Sequence, residues 1–294
     1  MLLPRFDFHE PSAVDEACQI LAHYQAKARP LAGGTDLMVN MKKKIVAPEQ
    51  VVSLGRVESL KSIARENGTL KIGACFTVAD LAASDTVRRA AGALATGAGA
   101  LGSPLVRNLA TIGGNIGSAR PAADLPPSLM AYGAALVIQS EEGTRRLDLG
   151  EFFKGPGMTA LAPDEIITEI QVDLPGAGAG AGYINIGVRR AQDCNIVNVA
   201  SFLALDEKDG SIRTARIVMG SVGPTPLRAP SAEKRLVGEK PNEALFEKAG
   251  AAAEADSSPI LDFRGSAEYR RIMVGVLTRR TLGIALKRAL GDSE

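Results

Sequence analysis

Residues 110–126 read ATIGGNIGSARPAADLP: two adjacent glycines behind Thr111 and Ile112, Asn115 directly after them, then an arginine, two prolines and Asp124. Upstream, residues 30–39 read PLAGGTDLMV and hold a second pair, Gly33-Gly34, followed at once by Thr35 and Asp36. A glycine takes positive φ without strain and, lacking Cβ, lets other atoms come up against the backbone. Consecutive N–H groups in such a bend can converge into a nest for an anion. One Gly-Gly pair is ordinarily a tight strand-to-helix turn. Two of them, each with a threonine beside it and a carboxylate after it, point to a cradle split between two places in the chain.

A diphosphate has the chemistry that such a cradle accepts: it needs several donors, close approach and no carboxylate in the way. Thr35 and Thr111 offer hydroxyls and Asn115 an amide. Asp36 and Asp124 would repel phosphate, so they suit sugar-type hydroxyls or the N-cap of the helix that follows. The cap is the better reading for Asp36; for Asp124 both readings stand. GAGALG, residues 97–102, matches the G-x-G-x-x-G dinucleotide fingerprint by letter. It follows a helical pattern instead of a strand, and Ser-Pro stands where the phosphate-binding helix would begin, so it reads as a helix end running out through glycines.

Around these corners the chain alternates strand and helix patterns without the regular beat of a doubly wound sheet, which gives an α+β class. PSAVDEACQILAHY (11–24) has helical spacing, and ARPLAGG is a short strand entering the first glycine bend. DLMVNMKKK is helical; QVVSL and GTLKIGA are strands. TVADLAASDTVRRAAGALATGA is an alanine-rich helix broken near Ser84-Asp85, and DLPPSLMAYG is a short helix. AALVIQS, GTRRLDL and DEIITEIQVDLP are strands closing a first unit, residues 1–175. PGAGAGAGY (175–183) reads as a flexible connector or long hairpin loop. Residues 176–294 then form a second, smaller unit: three strands of an antiparallel sheet, followed by helices over 242–255 and 266–290.

Composition bounds the function. Of 294 residues 46% are hydrophobic, enough for a core without metal or disulfide staples. Lys+Arg is 34 against Asp+Glu 33, so no broad positive field exists to hold nucleic acid. KKK at 42–44 reads as a solvated helix end. Cys18, Cys75 and Cys194 are scattered, which excludes an iron–sulfur cluster or structural zinc on this chain and fits a reducing cytoplasm. No stretch approaches a membrane span.

PLAGGTDL, GSPLVRNLATIGGNI and ADLPP, in that order, resemble the FAD-binding medium subunit of the molybdenum hydroxylases, the xanthine dehydrogenase and carbon monoxide dehydrogenase family. FDFHEPSAVDEACQIL resembles the family's opening and EYRRIMVGVLTRRTL its terminal helix, so the likeness spans essentially the whole chain. It implies a two-part FAD domain of the vanillyl-alcohol-oxidase (PCMH) type, then a small α+β domain with an antiparallel sheet. It also implies FAD contacts at Leu31, Ala32, Gly33, Gly34, Thr35, Asp36 and Leu37, and at Thr111, Ile112, Gly113, Gly114 and Asn115. Asp124 matches the aspartate that holds the cofactor's hydroxyls, and Leu101 and Ile167 fall where apolar residues line its rings. Where relatives often place a lysine or an aromatic residue near the flavin, this chain has INIGVRRAQDCNI, so Asn185, Arg189, Arg190 or Cys194 stands there instead.

No catalytic acid–base pair or metal site is visible, and His9 and His23 both precede the first corner. His23 reads as helix surface and His9 as a loop residue beside a strand. The chain is built to hold a cofactor that carries the hard chemistry. The resemblance implies a cytoplasmic heterotrimer. A molybdopterin-bearing large subunit would act on substrate, and a [2Fe–2S] small subunit would relay electrons. FAD here would pass them to NAD, a quinone, ferredoxin or oxygen. A self-contained flavin oxidase or dehydrogenase of the same fold is the alternative, and a cofactor-free interaction module a more distant one. The terminal helix, with Arg270, Arg271, Arg279 and Arg280, reads as amphipathic with a solvated basic face.

Overall fold

A computed structural model describes residues 3–189 and 192–291; Arg190, one of the residues named for the flavin's neighbourhood, lies outside them. The chain opens with a parallel sheet of β1 (Asp7–His9), β2 (Ala28–Leu31) and β3 (Gln50–Ser53), ordered β1-β3-β2. Parallel neighbours need crossovers. Helix α1 (Val14–Tyr24) makes the first, burying Ala17, Cys18 and Leu21, and α2 (Leu37–Lys42) lies on the second. His9 belongs to β1, its Nε2 2.7 Å from Gln50 Oε1.

An antiparallel sheet follows, ordered β4-β5-β10-β6-β7. Its strands are β4 (Ile63–Glu66), β5 (Thr69–Gly73), β6 (Ala135–Ser140) and β7 (Gly143–Asp148), then, after the hairpin β8 (Phe153–Gly155) and β9 (Met158–Thr159), β10 (Ile166–Asp173). The last returns to the middle, pairing β5 on one side and β6 on the other. A register shift between Ile167 and Glu169 breaks its alternation. Such bulges re-aim a side chain next to a site.

Between β5 and β6 the chain makes a helical excursion: α3 (Val78–Ala83), α4 (Asp85–Ala90), α5 (Gly92–Ala100), α6 (Pro104–Arg107), α7 (Ile112–Gly117) and α8 (Leu125–Tyr132). The break falls at Ser84, which caps α4 by accepting from Val87 N, and a second break at Ala91 was not legible from composition. Helix α5 ends at Ala100 and Gly102 takes φ +53°, so GAGALG is a helix end. Short α9 (Leu149–Phe152) follows β7 and buries Leu149 and Phe152.

The second unit is an antiparallel sheet of β11 (Ala179–Ile186), β12 (Val197–Leu205), β13 (Ile212–Gly220) and β14 (Leu227–Arg228), with α10 (Pro230–Leu236), α11 (Glu243–Asp256) and α12 (Ala267–Ala289) on one face. Every residue of β12 is buried because both faces are covered. Val197, Val199 and Leu203 pack toward these helices, while Ala200, Phe202 and Ala204 join the core built around α5 and α8. The period-2 alternation thus welds the second unit to the first.

Two readings change here. PGAGAGAGY is only in part a loop: residues 175–178 connect and turn, while Ala179 to Tyr183 belong to strand β11. A Cβ on Gly182 would lie 2.5 Å from the Thr281 carbonyl oxygen, and one on Gly180 2.4 Å from that of Ala285. Within the strand, Gly180 and Gly182 follow the period of two and stand where the strand and α12 backbones touch. Nor is Arg270 on a solvated face. It is 1% exposed, its guanidinium paired with Asp262 and donating to the carbonyls of Ile196 and Ser221. It anchors the start of α12 to the end of the sheet.

Candidate functional site

One cavity of about 1100 Å³ runs between the two glycine segments and up to the second unit. That is slightly above the roughly 300–1,000 Å³ that small-molecule sites usually occupy. Leu31, Ala32, Gly33, Gly34, Thr35, Asp36 and Leu37 line it from the first segment; Thr111, Gly113, Gly114 and Asn115 line it from the second. Leu101, Asp124 and Ile167 complete the wall. Ile112 and Arg189 do not line it. Ile112 is fully buried in the core beneath α7, because a helix turns successive residues to different sides. Arg189 is exposed on the segment after β11, its guanidinium on the Gln192 carbonyl, and Asp193 and Cys194 reach the wall instead.

The four glycines do four different jobs. Gly34 takes φ +71°, which a β-carbon disfavours. Gly33 lies against the other segment: a Cβ there would be 1.7 Å from the Leu109 carbonyl oxygen and 3.1 Å from Ala110 Cα. Gly113 packs on Ala74, with its N–H donating to the Ala74 carbonyl at 2.8 Å. Only Gly114 faces outward, a Cβ meeting nothing but Thr111 Oγ1, at 2.9 Å. Gly117 is three residues on and also lines the cavity, so α7 offers it two neighbouring positions without a side chain.

Donors are distributed unequally, which corrects the expectation of two equivalent bends. Thr111 accepts from Gly114 N through Oγ1 at 3.1 Å and from Asn115 N through its carbonyl at 2.9 Å. Ile112 N donates to the Phe76 carbonyl. The first turn of α7 is therefore spoken for, and the second segment is a helix start instead of a positive-φ corner. In the first segment, by contrast, no acceptor among the described residues takes a bond from the N–H groups of Gly33, Gly34 or Thr35. Consecutive free N–H groups around a left-handed glycine suit an anion. Asn115 adds a buried Oδ1 with no hydrogen-bond partner among the described residues.

Neither aspartate caps its helix. Asp36 stands before α2 without a side-chain cap bond, and its Oδ1 accepts from Arg120 at 3.1 Å; Arg120 also reaches Asn40. This pair is half exposed and joins the two sides of the cavity at little gain in stability. Asp124 precedes α8, again with no cap bond, and is 8% exposed. Burial pushes its carboxyl up to about 6, against bonds donated by Asn195 and Tyr183 that favour the charged form. Burial likewise raises the Cys75 thiol at the wall to about 11, so it stays protonated.

Arg120, Tyr183 and Asn195 escaped the sequence reading. The signal for the last was available: Asn195 and Asn198 punctuate an otherwise apolar strand run, where asparagine is depleted unless it has a polar task.

The open face of Gly114 makes one prediction direct. Gly114→Val suits a helix better than glycine does, but its Cβ must displace the capping Thr111 hydroxyl 2.9 Å away, and its branched side chain enters the cavity. Stability to thermal unfolding should fall by no more than a weakened cap, about 1 kcal/mol, while a dinucleotide-sized ligand loses roughly 100-fold in affinity, about 3 kcal/mol of lost contact and overpacking. Unchanged ligand affinity would remove Gly114 from the site.

Residues 4–175 match the family model described as the FAD binding domain in molybdopterin dehydrogenase, and residues 183–285 that of the CO dehydrogenase flavoprotein C-terminal domain. The carbon monoxide dehydrogenase medium chain of Afipia carboxidovorans is 34% identical over 98% of this chain and 99% of its own. The glyceraldehyde dehydrogenase medium chain of Sulfolobus acidocaldarius is 32% identical, covering 95% of this chain and 98% of its own. In structure, the carbon monoxide dehydrogenase of Hydrogenophaga pseudoflava superposes with a TM-score of 0.93 at 34% identity, over 98% of this chain and 99% of that one. No helix of the described residues is long and apolar enough to cross a membrane. With two family models covering nearly the whole chain and relatives 32–34% identical along it, this protein belongs to the FAD-binding medium subunits of the molybdenum hydroxylases.

Proposed function

We propose that the cavity holds FAD with its diphosphate between the two glycine segments, and that the chain conducts electrons from partner subunits to an external acceptor. The observation that carries this reading is the asymmetric cradle: Gly33, Gly34 and Thr35, whose N–H groups find no acceptor among the described residues, line one cavity together with Gly114 and Gly117 of α7. In it, the first segment supplies the donors, Gly114 and Gly117 supply close approach, and Thr111 and Asn115 supply a hydroxyl and an amide. Asp124 takes the cofactor's hydroxyls, and Leu101 and Ile167 flank its rings. The bound flavin supplies the redox chemistry, accepting and releasing electrons singly or in pairs. The protein's part is to bind it, orient it and exclude water from its diphosphate.

The same reading assigns a [2Fe–2S] small subunit as the electron source and a molybdopterin large subunit as the site of substrate oxidation. NAD, a quinone, ferredoxin or oxygen is the final acceptor. The test begins with the full chain purified alone. It should carry, or take up on reconstitution, one flavin per chain by visible absorbance, while oxidising no organic substrate by itself. A chain that takes up no FAD ends the proposal; turnover of an organic substrate by the isolated chain makes it a self-contained flavoenzyme.

A further inference from the structure

Both hydrogen bonds that reach the Asp124 carboxylate come from beyond residue 175. Tyr183, on β11, donates its hydroxyl to Oδ1 at 3.2 Å, and Asn195, just before β12, donates Nδ2 to the same oxygen at 2.8 Å. Each donor is itself held. Asn198 Nδ2 donates to the Tyr183 oxygen at 3.1 Å, which leaves that hydroxyl's hydrogen for Asp124. Asn195 Oδ1 accepts from Asn185 Nδ2 at 2.8 Å, fixing the amide so that Nδ2 points at Asp124 and at the Ala122 carbonyl. Asn198 likewise holds the Ala123 carbonyl at 3.0 Å. Meanwhile Asp124 Oδ2 takes no bond from any described residue, although Asp124 lines the cavity. One oxygen is committed to the second unit and the other is left over.

We infer that Tyr183 and Asn195 are positioning residues: they clamp Oδ1 of Asp124 so that Oδ2 presents a fixed acceptor to the cofactor's hydroxyls, making cofactor affinity depend on the docked second unit. This rests on the proposed contact between Asp124 and FAD. The strand parity described above puts them there. Asn198 shares the face of β12 that Ala200 and Phe202 use to meet the first unit, and Tyr183 shares that face of β11 with Ala181. Among the described residues Tyr183 is the only ionisable group bonded to Asp124, and burial holds it protonated, so it remains a donor through neutral pH. Asp36, Arg120, Asp193, Cys194, Arg264 and Arg270 share the cavity wall and make no bond to this carboxylate. The bonds from Asn195 and Tyr183 oppose the effect of burial on Asp124. Removing either donor leaves burial less opposed and raises the pH at which the carboxylate forms.

FAD affinity of the full chain, read by flavin fluorescence across a pH series spanning neutrality, tests this. Tyr183→Phe and Asn195→Ala should each weaken binding at neutral pH, on the order of tenfold for one lost bond to a charged group. Both should move the midpoint of the pH profile upward, with affinity recovering in alkali. Asp124→Asn should weaken binding and flatten the profile. If Asp124→Asn weakens binding but neither donor variant moves affinity or midpoint, the positioning role is wrong and the Asp124 contact survives. A loss equal at all pH values, with the midpoint unmoved, is also fatal to it, because that is what mere loosening of the fold would give. Should Asp124→Asn bind FAD like wild type, the underlying contact itself is wrong. Asn195 lies in the segment before β12, so Asn195→Ala decides the matter if Tyr183→Phe does not fold.

Discussion

Gly33→Ala should abolish flavin retention without placing any atom against the flavin. The added methyl would fall 1.7 Å from the Leu109 carbonyl oxygen and 2.5 Å from its carbon. Both are backbone atoms, which cannot rotate away as a side chain can. The first segment must therefore back off from residues 109–110 by more than an ångström. That shift separates the N–H groups of the first segment from the wall of α7. The cost should be about 3 kcal/mol or more, at the upper end of overpacking penalties, because neither partner can relax. Denaturant unfolding gives the loss, and flavin content of the purified chain gives the consequence. Wild-type flavin content would mean that the two segments need not touch. Gly114→Val provides the contrast: there, affinity falls far more than stability does.

Asp124→Asn should do the reverse, stabilising the empty chain while weakening its hold on FAD. The carboxyl titrates near 6 in the folded chain against its ordinary 3.8, chiefly because burial disfavours the charge. The folded state thus binds the proton more tightly than the unfolded chain does. As pH rises between those two values, stability is lost, and above the upper one the whole penalty applies, on the order of 2–3 kcal/mol. Asparagine is of similar shape, keeps an oxygen for Tyr183 and Asn195, and carries no charge to desolvate. The empty Asp124→Asn chain should unfold at higher denaturant than wild type at neutral pH, with the difference vanishing below about pH 4. Equal stability at neutral pH would mean that the wild-type carboxyl is not charged there at significant cost. A side chain that burdens the fold until a ligand arrives is a common mark of a binding site.

Most of the elements were legible because their patterns were local. The helix break at Ser84, the short strand before the first glycine bend and the long last helix all follow from neighbours a few residues away. The strand nature of residues 179–183 was not legible, since alternating Gly and Ala offers no β-branched residue to announce it, and its reason lies a hundred residues on, at Thr281 and Ala285. Arg270 was misread for the same kind of reason: its partner Asp262 and the carbonyls of Ile196 and Ser221 come from three separate segments. At the site, the two glycine segments stood out by residue type alone. What type could not convey was the division of labour among them, since Gly33 and Gly113 serve protein contacts and Gly34 serves a backbone angle.

The sheet buried on both faces also limits how such a chain can be rebuilt. Its inner surface is not an ordinary interdomain contact: Tyr183, Asn195 and Asn198 cross it to grip the backbone and carboxylate of residues 122–124. A hybrid that grafts the latter part of one relative onto the flavin-binding part of another must transplant both halves of that grip together. A junction near residue 175 that respects the chain's modules but mismatches those asparagines would yield a soluble scaffold that leaks its flavin.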